Sequence, residues 1–210
     1  MSNKVVIIDY GCGNLFSVEN AVKKITRDYI VSSEAKEIKA ASKIILPGVG
    51  SFKVAMDNLL KLKLKEPILE CVSEGKPILG ICLGMQLLMS KGYEHAETEG
   101  LGLISGEVVP FIPDKNHPVP HIGWNDVNTE GVLPTYFNGI KNGTSFYFVH
   151  SFYCEVNEEV SELKVNYCNK NVVIGVQKNN INGVQFHPEK SQDAGIQLLK
   201  NFISNESMPC

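Results

Sequence analysis

No stretch of this 210-residue chain is long and apolar enough to cross a bilayer, and no run of five like charges occurs. No Cys-x-x-Cys pair is present, and no segment repeats itself or falls into low complexity. Each absence excludes something. Without an apolar span, no membrane partner is expected. With a net charge of -3 and no basic cluster, no nucleic-acid footprint is expected, which leaves a small-molecule substrate. The segment before Val5-Val6-Ile7-Ile8-Asp9 is too short and too abruptly acidic for a signal peptide. The six cysteines (Cys12, Cys71, Cys82, Cys154, Cys168 and Cys210) read as reduced thiols of a cytoplasmic protein. Asn142-Gly143-Thr144 and Asn205-Glu206-Ser207 match the glycosylation pattern, but a cytoplasmic chain does not meet that machinery.

What is present is a succession of short β-branched runs: Val5 to Ile8, Lys43 to Leu46, Pro77 to Ile81, Phe146 to Val149, Val172 to Val176 and Gly183 to Phe186. Helical patterns separate the early ones, over Leu15 to Ile25, Ser51 to Leu64 and Pro67 to Glu74, the last with Pro67 in its first turn and Gly75 as its stop. Strand then helix, repeated, predicts parallel βαβ units. From about Glu107 the pattern changes to strands separated by turn clusters such as Pro113-Asp114-Lys115-Asn116 and Asn138-Gly139, which predicts antiparallel additions to the same sheet. A helix over Gln192 to Ile203 closes the chain. The expected fold is one α/β domain over residues 1–210, a mixed, mostly parallel central sheet with helices on both faces.

The segment Gly80-Ile81-Cys82-Leu83-Gly84 joins a buried strand to a helix and has the pattern of a nucleophile elbow with cysteine in place of serine. Glycines are needed there because the turn is tight and a neighbouring Cβ would collide with strand or helix. The bland alternative is a buried core cysteine at a strand end. A nucleophilic cysteine needs a histidine within hydrogen-bond reach and a group that holds its tautomer. His187, in Gly183-Val-Gln-Phe-His-Pro-Glu189, lies just past a buried strand, Pro188 stiffens the turn, and Glu189 can approach the same side. His150, after Phe146 to Val149, is the rival base, with no carboxylate nearby before Glu155. His117 and His121 have the spacing of helical metal ligands, but Pro118 and Pro120 forbid the helix, so no metal is expected. His95 reads as a solvated loop residue.

Pro47-Gly48-Val49-Gly50-Ser51 follows a strand and opens a helix. Such a turn can present a backbone N–H to an oxyanion beside the N–H of Leu83, or it can be a weak phosphate nest. Tyr10-Gly11-Cys12-Gly13-Asn14 reads as a structural helix entry capped by Asn14. Trp124, the only tryptophan, fits a core position and an interface anchor equally well.

Taken together, these motifs resemble the class I (triad) glutamine amidotransferase family over nearly the whole chain. The resemblance rests on Asp9-Tyr-Gly-Cys-Gly-Asn-Leu15, Leu46-Pro-Gly-Val-Gly50, Gly80-Ile-Cys-Leu-Gly-Met-Gln86, His121-Ile-Gly-Trp-Asn125, Tyr147-Phe-Val-His-Ser151 and Gly183-Val-Gln-Phe-His-Pro-Glu189. It implies a flavodoxin-like fold, no cofactor, and L-glutamine as substrate. By the same resemblance Cys82 is the nucleophile, His187 the general base and acid, and Glu189 its orienter. Val49, Gly50 and Leu83 form the oxyanion site, with the Val49 peptide able to reorient, and Gln86 together with the backbone at His150 and Ser151 holds the substrate. Pro-Gly-Val-Gly, Gly-Trp-Asn and Phe-Val-His-Ser resemble the branch that works as a heterodimer with a (β/α)8-barrel cyclase, feeding it ammonia for imidazole glycerol phosphate. Ile122, Phe152 and Ser51 depart from the branch's commoner residues without touching the triad. Two alternatives stand beside this reading: a paralogue that supplies ammonia for surface-sugar synthesis, and a non-catalytic regulatory subunit on the same fold.

Overall fold

The computed structural model describes residues 4–113, 115, 117–128 and 133–204. Asp114 and Asn116 of the turn cluster, Cys210 and the Asn205-Glu206-Ser207 pattern lie outside them.

The first half of the chain runs β1 (Val5–Ile8), α1 (Leu15–Lys23), β2 (Tyr29–Ser32), α2 (Ala35–Lys39), β3 (Lys43–Gly48), α3 (Phe52–Lys61), α4 (Lys65–Ser73), β4 (Ile78–Cys82) and α5 (Leu83–Leu87). It continues through β5 (Met89–Gly92), β6 (Thr98–Glu99), β7 (Ile104–Pro110), β8 (His121–Val127), β9 (Thr144–His150), β10 (Phe152–Val156), β11 (Ser161–Tyr167), β12 (Lys170–Lys178), β13 (Ile181–Val184) and α6 (Gln192–Ser204). Among the described residues, eleven strands form one mixed sheet in the order β2-β1-β3-β4-β13-β12-β10-β7-β5-β6, with β11 beside β12. The five strands from β2 to β13 are parallel. This is the α/β domain expected from the alternation of strand and helix.

Covered on both faces, β1, β3, β4 and β13 are buried at every position, which is why they read as continuous apolar runs. Their side chains alternate between two cores. Val6, Ile8, Ile44, Leu46 and Ile78 meet Phe52, Met56 and Leu59 of α3 and Ile68 of α4. Val5, Ile7, Ile45, Leu79 and Ile81 meet Val18 and Val22 of α1 and Leu198, Leu199 and Phe202 of α6. Lys43 is the polar exception in β3. Its Nζ donates to the carbonyls of Phe202 and Ile203, among the last of α6, which lack intrahelical partners.

Helix entries follow their caps. Asn14 Oδ1 accepts from Ser17 N at 3.3 Å, as the sequence predicts, and Ser51 caps α3 by accepting from Val54 N. Pro67 is the third residue of α4, where its missing N–H has no partner to lose.

Two parts of the sequence reading need correction. The run Phe146 to Val149 does not join the main sheet: β9 pairs with β8 in a separate two-stranded antiparallel ribbon. Its inner face, with Phe146 and Phe148, packs on Phe186 just beyond β13, so the ribbon lies over the sheet instead of extending it. An alternating strand pattern specifies a buried face and not the sheet that covers it. In addition, β13 pairs with β4 in parallel, so the strands after Glu107 are not all antiparallel additions, and β7 itself lies parallel to β5.

Candidate active site

Parallel register brings three strand ends together. Gly48 at the end of β3 is the lateral partner of Cys82 at the end of β4, and β13 pairs with β4 through Gly183–Gly80 and Val184–Ile81. The chain beyond each end therefore opens over the same edge of the sheet, placing Val49-Gly50, Cys82-Leu83 and Gln185-Phe186-His187 side by side.

Cys82 is a strained residue, with φ 54° and ψ -109°, a conformation that side chains rarely adopt and that costs about 1–3 kcal/mol. The flanking glycines make it possible. A Cβ on Gly80 would lie 2.6 Å from the backbone of Gly84, and one on Gly84 would lie 1.8 Å from the carbonyl oxygen of Leu46. The elbow read from the sequence is thus a real strand-to-helix reversal, although α5 is only five residues long. One consequence is a reversed stability order: Cys82→Gly is expected to be more stable than Cys82→Ala by about 1 kcal/mol, because glycine releases the strain. Thermal unfolding of the two variants checks this, and the ordinary order, alanine above glycine, would show the elbow to be unstrained.

His187 and Glu189 form a buried pair. Nδ1 of His187 lies 2.7 Å from Oε1 of Glu189, and both side chains are almost wholly shielded from solvent. The backbone around them is fixed: His187 N donates to Tyr147 O of β9, and Ser191 Oγ donates to His187 O while accepting from Tyr147 N. Burial alone disfavours imidazolium, but Cys82 and Glu189 more than offset it and raise the His187 pKa to about 10. With Nδ1 held by the carboxylate, Nε2 is the nitrogen left for proton traffic. It is buried and makes no hydrogen bond of ordinary geometry in the protein.

His150 is not a base. Its Nδ1 lies 2.8 Å from the Phe152 carbonyl, which only accepts, so Nδ1 carries the proton. Its Nε2 then accepts from His121 Nδ1 at 3.0 Å, and neither nitrogen remains for Cys82. Burial is the main cause that drives its pKa down to about 3, so the ring is neutral.

One cavity of about 340 Å³ joins these groups, lined by Val49, Gly50, Cys82, Leu83, Gln86, His150, Ser151 and His187 among others. Every site residue singled out in the sequence lines it except Glu189, which stands behind His187. Leu83 is the first residue of α5, so its N–H has no intrahelical partner and is free to meet an anion. Gln86 is more constrained than expected. Its Nε2 donates to Phe152 O at 3.0 Å and to Gln185 Oε1 at 3.1 Å, so its carbonyl oxygen is what it can offer a ligand. Trp124 is resolved as a surface residue, 48% exposed on β8, and His95 is exposed as expected.

The sequence reading missed Glu94 and Gln185. Glu94 lines the cavity and accepts from Phe52 N at 2.7 Å, capping α3, but it sits in a polar stretch with no motif. Gln185 is fully buried two residues before His187, and strand alternation from the histidine was the signal available for it.

Chemically, the site combines a cysteine sulphur on a strained elbow, an imidazole oriented by a carboxylate, and backbone donors across a small cavity. A family model described as glutamine amidotransferase class-I matches residues 6–205. The chain is 48% identical over 200 residues to the imidazole glycerol phosphate synthase subunit HisH 1 of Campylobacter jejuni, a match covering 95% of this chain and 98% of that protein. It is 46% identical over 196 residues to the imidazole glycerol phosphate synthase subunit HisH of Caldanaerobacter subterraneus, covering 93% and 95%. Among solved structures, a glutamine amidotransferase superposes with TM-score 0.73 at 16% identity, covering 94% of this chain and 98% of that one. PurLQS from Thermotoga maritima superposes with TM-score 0.71 at 18% identity, covering 97% and 98%. At these identities the two structures speak for the fold alone.

Proposed function

Because the chain belongs to the class-I glutamine amidotransferase family, we propose that it is the glutaminase subunit of an imidazole glycerol phosphate synthase in histidine biosynthesis, hydrolysing L-glutamine with Cys82, His187 and Glu189. The observation that carries the triad is the 2.7 Å bond between His187 Nδ1 and Glu189, which leaves Nε2 facing the cavity that holds the Cys82 sulphur. The relatives named as subunits of this synthase, matched along almost their whole length, support the choice of pathway.

Cys82 thiolate attacks the side-chain carbonyl carbon of glutamine, and the displaced electron pair settles on the oxygen, held by Leu83 N–H and a backbone N–H of the Val49-Gly50 turn. His187 Nε2 gives its proton to the amide nitrogen, the C–N bond breaks, and ammonia leaves behind a thioester. A water then gives its proton to His187 Nε2 as it attacks the thioester, and glutamate departs as the thiolate re-forms. In this reading Gln86 Oε1 and the backbone at His150 and Ser151 hold the rest of the substrate, which is supported by their lining the same cavity.

The ammonia passes to a separate cyclase subunit, a (β/α)8 barrel in this reading, within a heterodimer. The relatives named as subunits of a biosynthetic synthase support work in the cytoplasm. No helix among the described residues is long and apolar enough to cross a membrane.

The test is to mix the chain with the cyclase from the same genome and measure imidazole glycerol phosphate formed from glutamine. Product that depends on this chain when glutamine is supplied, and not when free ammonia is supplied, is the expected result. Glutamate release with no product would overturn the choice of partner and direct the ammonia elsewhere, as to a sugar amidotransferase.

A further inference from the structure

A buried chain of hydrogen bonds that does not pass through the triad ends on the Cys82 sulphur. It starts at the carbonyl of Phe152, which has lone pairs and no proton. Gln86 must therefore turn its NH2 toward it, at 3.0 Å. The same Nε2 lies 3.1 Å from the side-chain amide of Gln185, and since it brings a second N–H there, Gln185 must answer with its oxygen. That leaves Gln185 Nε2 aimed at Cys82 Sγ, 3.7 Å away. Reversing Gln185 would set two NH2 groups against each other, and reversing both glutamines would set Gln86 oxygen against a carbonyl oxygen. The direction of every hydrogen in the chain is thus dictated by one backbone carbonyl.

Location reinforces polarity. Gln185 is fully buried, and its backbone N–H is tied to Ile174 O of β12. It stands two residues before His187, just past the end of β13, and both side chains interact with Cys82. A glutamine amide in so dry a place is costly unless its groups are matched, and its NH2 is directed at the sulphur.

We propose that Gln185 is a second, permanently oriented donor to the Cys82 sulphur, holding the thiolate in line for attack while His187 carries protons. It rests on the glutaminase reading above for its purpose, though not for its geometry. A thiolate held only by His187 loses its partner each time His187 delivers a proton to the leaving nitrogen or the product. A donor that never gives up its hydrogen keeps the sulphur anchored through the cycle and makes it a better leaving group when the thioester is hydrolysed.

The experiment is the pH profile of Cys82 alkylation by iodoacetamide, read on the Cys82 peptide by mass spectrometry, in the wild-type chain, Gln185→Met and Gln185→Glu. The other ionisable groups around the sulphur, namely His187, neutral His150, Tyr10, Cys154 and, across the cavity, Glu94, are kept in all three. For Gln185→Met, which keeps bulk and loses the donor, the alkylation midpoint is expected to rise by about one pH unit, with kcat for glutamine about tenfold lower and KM within about twofold. Gln185→Glu, which turns lone pairs toward the sulphur, is expected to move the midpoint further up. A Gln185→Met profile that overlays the wild type, with kcat unchanged, means a space-filling residue and overturns the proposal. Should the variants fail to fold, the side-chain amide resonance of Gln185 in the wild-type chain replaces them. It is expected to shift when Cys82 is alkylated, and no shift overturns the proposal. Alkylation needs no glutamine, so a wild-type chain that shows the donor-dependent profile yet releases no glutamate supports this inference while defeating the glutaminase reading.

Discussion

Replacing Cys82 by alanine is expected to lower glutamine hydrolysis by about 10⁴-fold or more, while the cyclase continues to use free ammonia at its ordinary rate. Glutamate release and product formation from an ammonium salt measure the two halves separately. Cys154, Cys71 and Cys12 are not equipped to substitute. Burial keeps Cys154 and Cys71 protonated, and it raises Cys12 as well, against a smaller opposing effect from Asn58. Cys82→Ser should be almost as damaging as alanine, because a hydroxyl is a far weaker nucleophile than a thiolate and stays neutral where a thiol can ionise. His187, whose charged form is favoured by Cys82 and Glu189 together, is then left with the carboxylate alone. Hydrolysis within tenfold of wild type in the alanine variant would remove Cys82 from the chemistry altogether.

How much of this was legible beforehand depended on whether a residue's neighbours in space were also its neighbours in sequence. The elbow was legible because its two glycines flank Cys82 within a five-residue pattern, and the collision that forces glycine at 80 is with Gly84 of that same pattern, although the one that forces glycine at 84 comes from Leu46 of the neighbouring strand. His187 and Glu189 were legible because their hydrogen bond spans two residues. The central strands were legible because burial on both faces removes polar residues from them entirely. By contrast, β2 lies at the sheet edge and is only half-buried at three of its four positions, and α2 has five residues and no side-chain cap, so neither carries a pattern that stands out. The bond from Gln86 to Gln185 joins residues 99 apart, and it exists only because β13 pairs with β4 in one particular register. His121 and His150 face each other for the same reason, through the β8–β9 register. Two histidines that look like a ligand or a rival base in the sequence become, once paired over Phe152 O, a fixed neutral support for the cavity wall.

Glu189→Gln is expected to lower kcat for glutamine by about 10²- to 10³-fold with KM nearly unchanged, since the residue touches the imidazole and not the substrate. The substitution is nearly isosteric, yet neither orientation of the new amide works. With its oxygen on His187 Nδ1, the NH2 takes the place of Glu189 Oε2, a buried position with no hydrogen-bond partner in the protein, and leaves donors unsatisfied. With its NH2 on Nδ1, the imidazole must put its proton on Nε2, and it can then no longer accept one there. The pH dependence gives an independent check. A histidine whose folded pKa is raised from 6.5 to about 10 adds stability that is fully present below 6.5 and is lost as pH rises through about 10. The wild-type advantage over Glu189→Gln in thermal unfolding should therefore be large near pH 6.5 and shrink steadily toward pH 10. A variant that keeps kcat within a few-fold, or an advantage that does not change across that window, would mean that Glu189 only fills space beside an imidazole held in place by the backbone bonds at Tyr147 and Ser191.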